Sequence, residues 1–197
     1  MQSPGLRKIV AYLLHSAGLR GRMLAASIWC CSFVTTSALA GVAVSIEGGR
    51  GESVDIVGLG VAWTEMYGWS LPWHTQLNLS LLGRVDEWHG TQANAVVSDL
   101  WDVSATPVLT LQPAQPQGWF PYLDVGLGVH FISETRINAT KQFSTVFQFG
   151  EFFGVGVRFG KRAQYDLGFR AQHVSNSDIR EPNNGLTFRT LVFQYHF

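Results

Sequence analysis

Beyond residue 40 the chain has no cysteine, because Cys30 and Cys31 both fall in the opening segment. Disulfides, thiolate metal sites and a cysteine nucleophile are thereby excluded from the remainder. Charge is scarce too, with Asp, Glu, Lys and Arg making up 14% of the sequence. After residue 40 no apolar run reaches the roughly 20 residues that a membrane-crossing helix needs. A basic surplus is also missing. Arg7, Lys8, Arg20 and Arg22 precede residue 41 and no acid does, so ten basic residues face fourteen acidic ones, a net of −4. That balance excludes general nucleic-acid binding, which requires a basic footprint. His74, His89, His130, His173 and His196 are scattered without a spacing such as H-E-x-x-H, and no glycine-rich phosphate loop follows a strand pattern, so no metal and no cofactor is expected.

What is present begins with an export pattern. A basic start is followed by the mostly apolar run of 12 residues from Met23 to Val34, then by Ala38-Leu39-Ala40, a small-x-small cleavage site. Residues 1–40 are therefore expected to form a signal peptide and 41–197 a single domain. Trp29 before Cys30 is too bulky for lipoprotein processing, so no lipid anchor is expected.

Strict alternation runs through residues 41–197. Val57, Leu59, Val61 and Trp63 oppose Gly58, Gly60 and Ala62; Leu123, Val125, Leu127, Val129 and Phe131 oppose Asp124, Gly126, Gly128 and His130; Phe153, Val155, Val157 and Phe159 oppose Gly154, Gly156 and Arg158. Such a period of two makes strands. The bulky face is uniformly apolar and the other is small or polar, which suits a barrel in lipid better than a soluble sandwich. In lipid the backbone of an exported chain is satisfied only by closure. The fold class expected is all-β, an eight-stranded antiparallel transmembrane β-barrel, with strands near 42–47, 54–65, 73–88, 94–112, 119–134, 143–160, 163–176 and 186–197. Breaks are expected at Gly48-Gly49 and Tyr67-Gly68 among others, and a bulge or break at Pro107. Asp124, His130, Arg158, Asp166 and Arg170 should form an interior polar network. Trp63, Trp69, Trp73, Trp88, Trp101 and Trp119, with Tyr67 and Tyr122, should form interfacial girdles. Glu151 shares parity with Phe149 and Phe153, which marks a strand rim or a register change.

In the seventh strand Tyr165, Leu167, Phe169, Ala171, His173 and Ser175 share one face, so an imidazole and a hydroxyl end an apolar stripe. Residues two apart on a strand face lie about 7 Å from each other. A base and a nucleophile fit that spacing, and on a lipid-facing wall their substrate would be a lipid.

The segment His173-Val-Ser175-Asn176, continued by Glu181-Pro182-Asn183-Asn-Gly185, resembles the signature of the outer-membrane lipid A 3-O-deacylases, the PagL family. The aromatic C-terminal ending Leu191, Phe193, Tyr195, Phe197 resembles that of bacterial outer-membrane barrels. The resemblance implies an ester hydrolase, located in the outer membrane, that removes the 3-hydroxyacyl chain from the 3-position of lipid A in lipopolysaccharide. It makes His173 the general base and Ser175 the nucleophile, with Asn176 and Asn183 supporting the oxyanion. The family's orienting acid falls at Thr187, so a loop carboxylate, Glu181 or Asp178, or Thr187 itself, would fill that role. A non-catalytic barrel in adhesion or membrane integrity is the alternative, and a palmitoyl-transferring barrel a weaker one. A homodimer is left open.

Overall fold

The alternating pattern builds eight long antiparallel strands in the computed structural model: β1 (Gly41–Gly51), β2 (Val54–Leu71), β3 (Thr75–Gly90), β4 (Asp99–Pro113), β5 (Phe120–Ile132), β6 (Phe147–Phe159), β7 (Tyr165–Ser175) and β8 (Leu186–His196). Each pairs with its sequence neighbours, and β1 pairs with β8 from Ala43↔His196 to Arg50↔Arg189, which closes the sheet into a barrel. The structure describes residues 35–36, 41–92, 99–138 and 141–197, and the chain divides into two units, 1–31 and 32–197. The expected export segment therefore lies outside the described residues, apart from Thr35 and Thr36, which pair with Trp69 and Gly68.

Bulky apolar side chains cover the outer wall, among them Leu59, Leu127, Phe153, Leu167 and Leu191, while the small and polar face points inward. The interior is layered. Toward the β7–β8 loop it is closed by an apolar cluster including Val54, Trp88, Leu100, Val174 and Phe188, joined by Ile137 and Phe143 from the β5–β6 loop. Below it lies the polar network. Arg84 donates to Glu47 at 2.7 Å and to Gln172 at 2.8 Å, His130 meets Asp102 at 2.6 Å, Arg170 meets Asp124 at 3.2 Å, and the hydroxyl of Tyr122 donates to Asp166 at 2.7 Å. The five residues expected there are thus present, joined by Glu47, Arg84, Asp86, Asp102 and Gln172. A cavity of about 30 Å³ beside Tyr122, Asp124 and Arg170 holds room for little more than a water. An acyl chain does not fit there, which argues against a palmitoyl-transfer site in this part of the lumen.

Of four local expectations three are corrected, and the interruption expected at Pro107 is found on one side of its strand. Gly48-Gly49 is not a break: β1 runs through it, and Gly49 is where the strand comes so close to the Arg189 carbonyl that a Cβ would collide with it. Tyr67-Gly68 is not a break either, because β2 absorbs an irregularity between Trp63 and Tyr67, with Glu65 at φ 54°, and continues to Leu71. Pro107 stays in β4 opposite Leu81; the pairing with β5 skips Thr106 and Pro107 and resumes in the same register. Proline has no N–H to donate, so a rung is lost without a bulge. Trp88 and Tyr122 point into the lumen instead of joining a girdle, since they share parity with the inward residues of their strands.

Candidate active site

β7 sets the site by parity. Asp166, Gly168, Arg170, Gln172 and Val174 are buried in the lumen, which forces His173 and Ser175 onto the outer wall at the end of the strand. His173 is in register with Glu151 on β6 and Thr187 on β8, and Ser175 is in register with Phe149. Its Nδ1 lies 2.9 Å from Thr187 Oγ1. Glu151 thus marks an outward rim position, with no register change along β6.

The other edge of the pair is made by Gly185. A side chain starting there would stand 2.8 Å from Cε1 and 3.0 Å from Nε2 of His173, and 3.6 Å from Cβ of Ser175. The imidazole and the serine side chain therefore both border the position a Cβ would take, and glycine there lets the ring stand this close. Among the described residues no hydrogen bond joins them directly. Free hydrolases often hold this contact loosely and tighten it around substrate. The Ser177 N–H points at Ser175 Oγ at 3.5 Å, a backbone donor that sequence reading did not single out.

The β7–β8 loop holds itself by its own polar groups. Asn176 is fully buried; its amide donates to the Arg180 carbonyl at 2.8 Å and to Ser144 Oγ at 2.9 Å. The N–H of Asn176 donates to Asn183 Oδ1 at 3.1 Å, and Asn183 Nδ2 donates to Asp178 at 2.9 Å. Both asparagines are engaged in shaping the loop. Glu181 accepts the Asn183 N–H at 3.0 Å. The two loop carboxylates thus bond to Asn183, while the hydroxyl of Thr187 is the group beside Nδ1 of the imidazole.

Two further residues reach the site from elsewhere in the chain. Lys141, on the β5–β6 loop, donates to the Gly185 carbonyl at 3.2 Å and pairs with Glu52 of the β1–β2 turn at 2.6 Å. Their hydrogen bond and opposite charge hold the Glu52 carboxyl below its ordinary range, with a smaller contribution from His173. Nothing local in the sequence marks either residue. Among the described residues no three His, Cys, Asp or Glu side chains converge as metal ligands.

Residues 57–196 match the family described as lipid A 3-O-deacylase (PagL). The lipid A deacylase PagL of Bordetella bronchiseptica is 33% identical over 98 residues, 50% of this chain and 51% of that protein. The lipid A deacylase PagL of Pseudomonas aeruginosa is 27% identical over 151 residues, 75% of this chain and 81% of that protein. The match thus spans about half the length of the first relative and about four fifths of the second. The crystal structure of the outer membrane enzyme PagL superposes with a TM-score of 0.68 at 23% identity, over 78% of this chain and 98% of that one, a likeness of fold.

Proposed function

The chain belongs to the lipid A 3-O-deacylase (PagL) family, and from that premise we propose that it hydrolyses the ester of the 3-hydroxyacyl chain at the 3-position of lipid A. The site is the outer wall of the barrel. His173 Nε2 takes the Ser175 proton as Oγ attacks the ester carbonyl, giving a tetrahedral oxyanion beside the N–H of Ser177. Collapse breaks the bond to the sugar oxygen, which leaves with the proton from the imidazolium. Water activated by the same imidazole then releases the 3-hydroxy fatty acid from the acyl-serine. Asn176 and Asn183 support the oxyanion by fixing the loop that presents this donor, and Glu181 and Asp178 hold Asn183.

The observation that carries this reading is the outward placement of His173 and Ser175, with Thr187 beside Nδ1 and Gly185 beside Nε2. Their height in the wall supports the substrate class. The site lies at the end bearing the connections 91–98, 133–146 and 176–185 along with the two-residue turn 52–53, while the opposite end carries connections at 72–74, 114–119 and 160–164, each shorter than those first three. Outer-membrane barrels put long loops outside the cell and short turns in the periplasm. Next to the site, and one outward position nearer the membrane, Arg189, Arg50, Asp55, His89 and Asp99 are successive partners across β8, β1, β2, β3 and β4. Such a charged row fits the edge of the hydrocarbon, and this supports a catalytic pair working at the level of a glycolipid's sugar esters. In this reading the protein sits in the outer membrane and residues 1–40 direct its export.

The test is to express the chain in an outer membrane that carries 3-O-acylated lipid A and weigh the extracted lipid. Loss of one hydroxyacyl chain is expected, and Ser175→Ala and His173→Ala should abolish it while leaving the heat-modifiable barrel intact. Unchanged mass with a correctly inserted wild-type barrel refutes the enzyme and leaves a structural barrel.

A further inference from the structure

The imidazole of His173 has a hydroxyl where a catalytic triad has a carboxylate, and a neutral group stabilises imidazolium less well than a charged one. A carboxylate nevertheless stands near, in the turn between β1 and β2. The pairing of β1 with β8 ends at Arg50↔Arg189, two residues short of Glu52 on one side and of Thr187 on the other. A Cβ on Gly51 would lie 2.9 Å from the Thr187 carbonyl oxygen and 3.0 Å from the Phe188 ring, so the β1–β2 turn packs against the start of β8. Lys141 then ties Glu52 to Gly185, the residue that abuts the imidazole. Contacts thus run in a ring through His173, Thr187, the turn, Lys141 and Gly185.

We propose that Glu52 is the positioning carboxylate of this site, facing the imidazolium of His173 across Thr187 and held in place by Lys141. This rests on the hydrolase reading of His173 and Ser175. The remaining charged groups around the imidazole are placed for other tasks. Glu151 approaches from β6, on the side away from Thr187 and Nδ1. Asp178 and Glu181 bond to Asn183. Arg189 is the next outward residue after Thr187 on β8 and is level with Ala171. Lys141, salt-bridged to Glu52, fixes where that carboxylate sits and keeps it ionised.

The experiment measures how fast a fluorophosphonate probe labels Ser175 in the full chain refolded in detergent micelles, with Ser175→Ala as the blank. Labelling needs the activated hydroxyl but no lipid A. Glu52→Gln should slow labelling about 10- to 100-fold, less than the loss of a fully buried triad acid because this carboxylate is screened by solvent. It should also move the acid limb of the rate to lower pH, because a carboxylate beside a base favours its protonated form. Glu52→Asp should retain most of the rate, Glu151→Gln all of it, and Thr187→Glu added to Glu52→Gln should restore it. A Glu52→Gln protein that keeps the wild-type rate and acid limb overturns the proposal, as does Glu151→Gln reproducing the loss. Wild-type protein labelled no faster than the Ser175→Ala blank overturns the hydrolase reading itself, and the proposal falls with it.

Discussion

At Gly185 two constraints meet in one residue. Its φ is +55°, a conformation that costs a residue with a Cβ about 1–2 kcal/mol, and the space in front of it is taken by the imidazole. Gly185→Ala should push the ring away from Ser175. Because a displacement near 1 Å at a reacting group can cost about 100-fold, deacylation should fall at least about 10-fold while the barrel stays heat-modifiable. Full activity in that variant would mean that the ring has another working position. Thr187→Glu acts in the opposite direction and should raise the deacylation rate, read from lipid mass against time. The sign of the Glu52 shift gives a third expectation. Its folded value lies below the ordinary 4.5, so the Lys141 contact stabilises the fold above that pH and is lost only as the pH falls through the lowered value. The protection of the Lys141 amide against hydrogen exchange, relative to its intrinsic rate at each pH, should persist to below pH 4.5 and fall only at lower pH; this amide donates to Asn138 Oδ1.

The strands that present the pair were legible because alternation is local: the parity of β7 is settled by neighbouring residues, and it puts His173 and Ser175 on the wall. Closure was legible only in part. Gly48-Gly49 has the composition of a turn, yet Gly49 serves a close approach to Arg189, a partner at the far end of the chain. Glu52 and Lys141 become neighbours of the site only when β1 meets β8 and the β5–β6 loop folds over Gly185, so no motif announces them. The same separation explains why the orienting group stayed open among Glu181, Asp178 and Thr187: all three lie in or beside the motif, and only the folded loop shows the two carboxylates bonded to Asn183 and Thr187 beside the imidazole. These roles of the glycine pair are separable by mutation. Gly49→Val would drive a side chain into the Arg189 carbonyl and should abolish the heat-modifiable barrel band. Gly48→Val points outward, with its nearest atom, the Ile56 carbonyl oxygen, at 3.9 Å, and should fold normally.

Behind the outward-facing pair the lumen is filled: apolar packing toward the loop end, charge in the middle, a second apolar cluster of Ala43, Ala62, Leu82, Val108 and Phe152. The middle layer links strands distant in sequence, since Arg84 on β3 binds Glu47 on β1 and Gln172 on β7 while lying 3.4 Å from Asp86. Gln172 is the inward neighbour of His173 on the same strand and also meets His130 at 3.2 Å, so the back of the catalytic strand is fastened to this network. Buried charges of this kind contribute less to net stability than their number suggests, but removing one partner strands the others. Arg84→Met would take the 3.4 Å cation from Asp86 and leave Glu47 only the longer 3.8 Å contact with Arg170, and the loss of a partner from such a buried set costs about 3–5 kcal/mol. Urea unfolding in lipid vesicles should therefore shift to markedly lower denaturant. Deacylation by the folded fraction should fall less, since Val174 and the Thr187 contact still hold β7 from the loop side. A variant with unchanged unfolding but abolished activity would reverse that order and make the interior network part of the site, not its support.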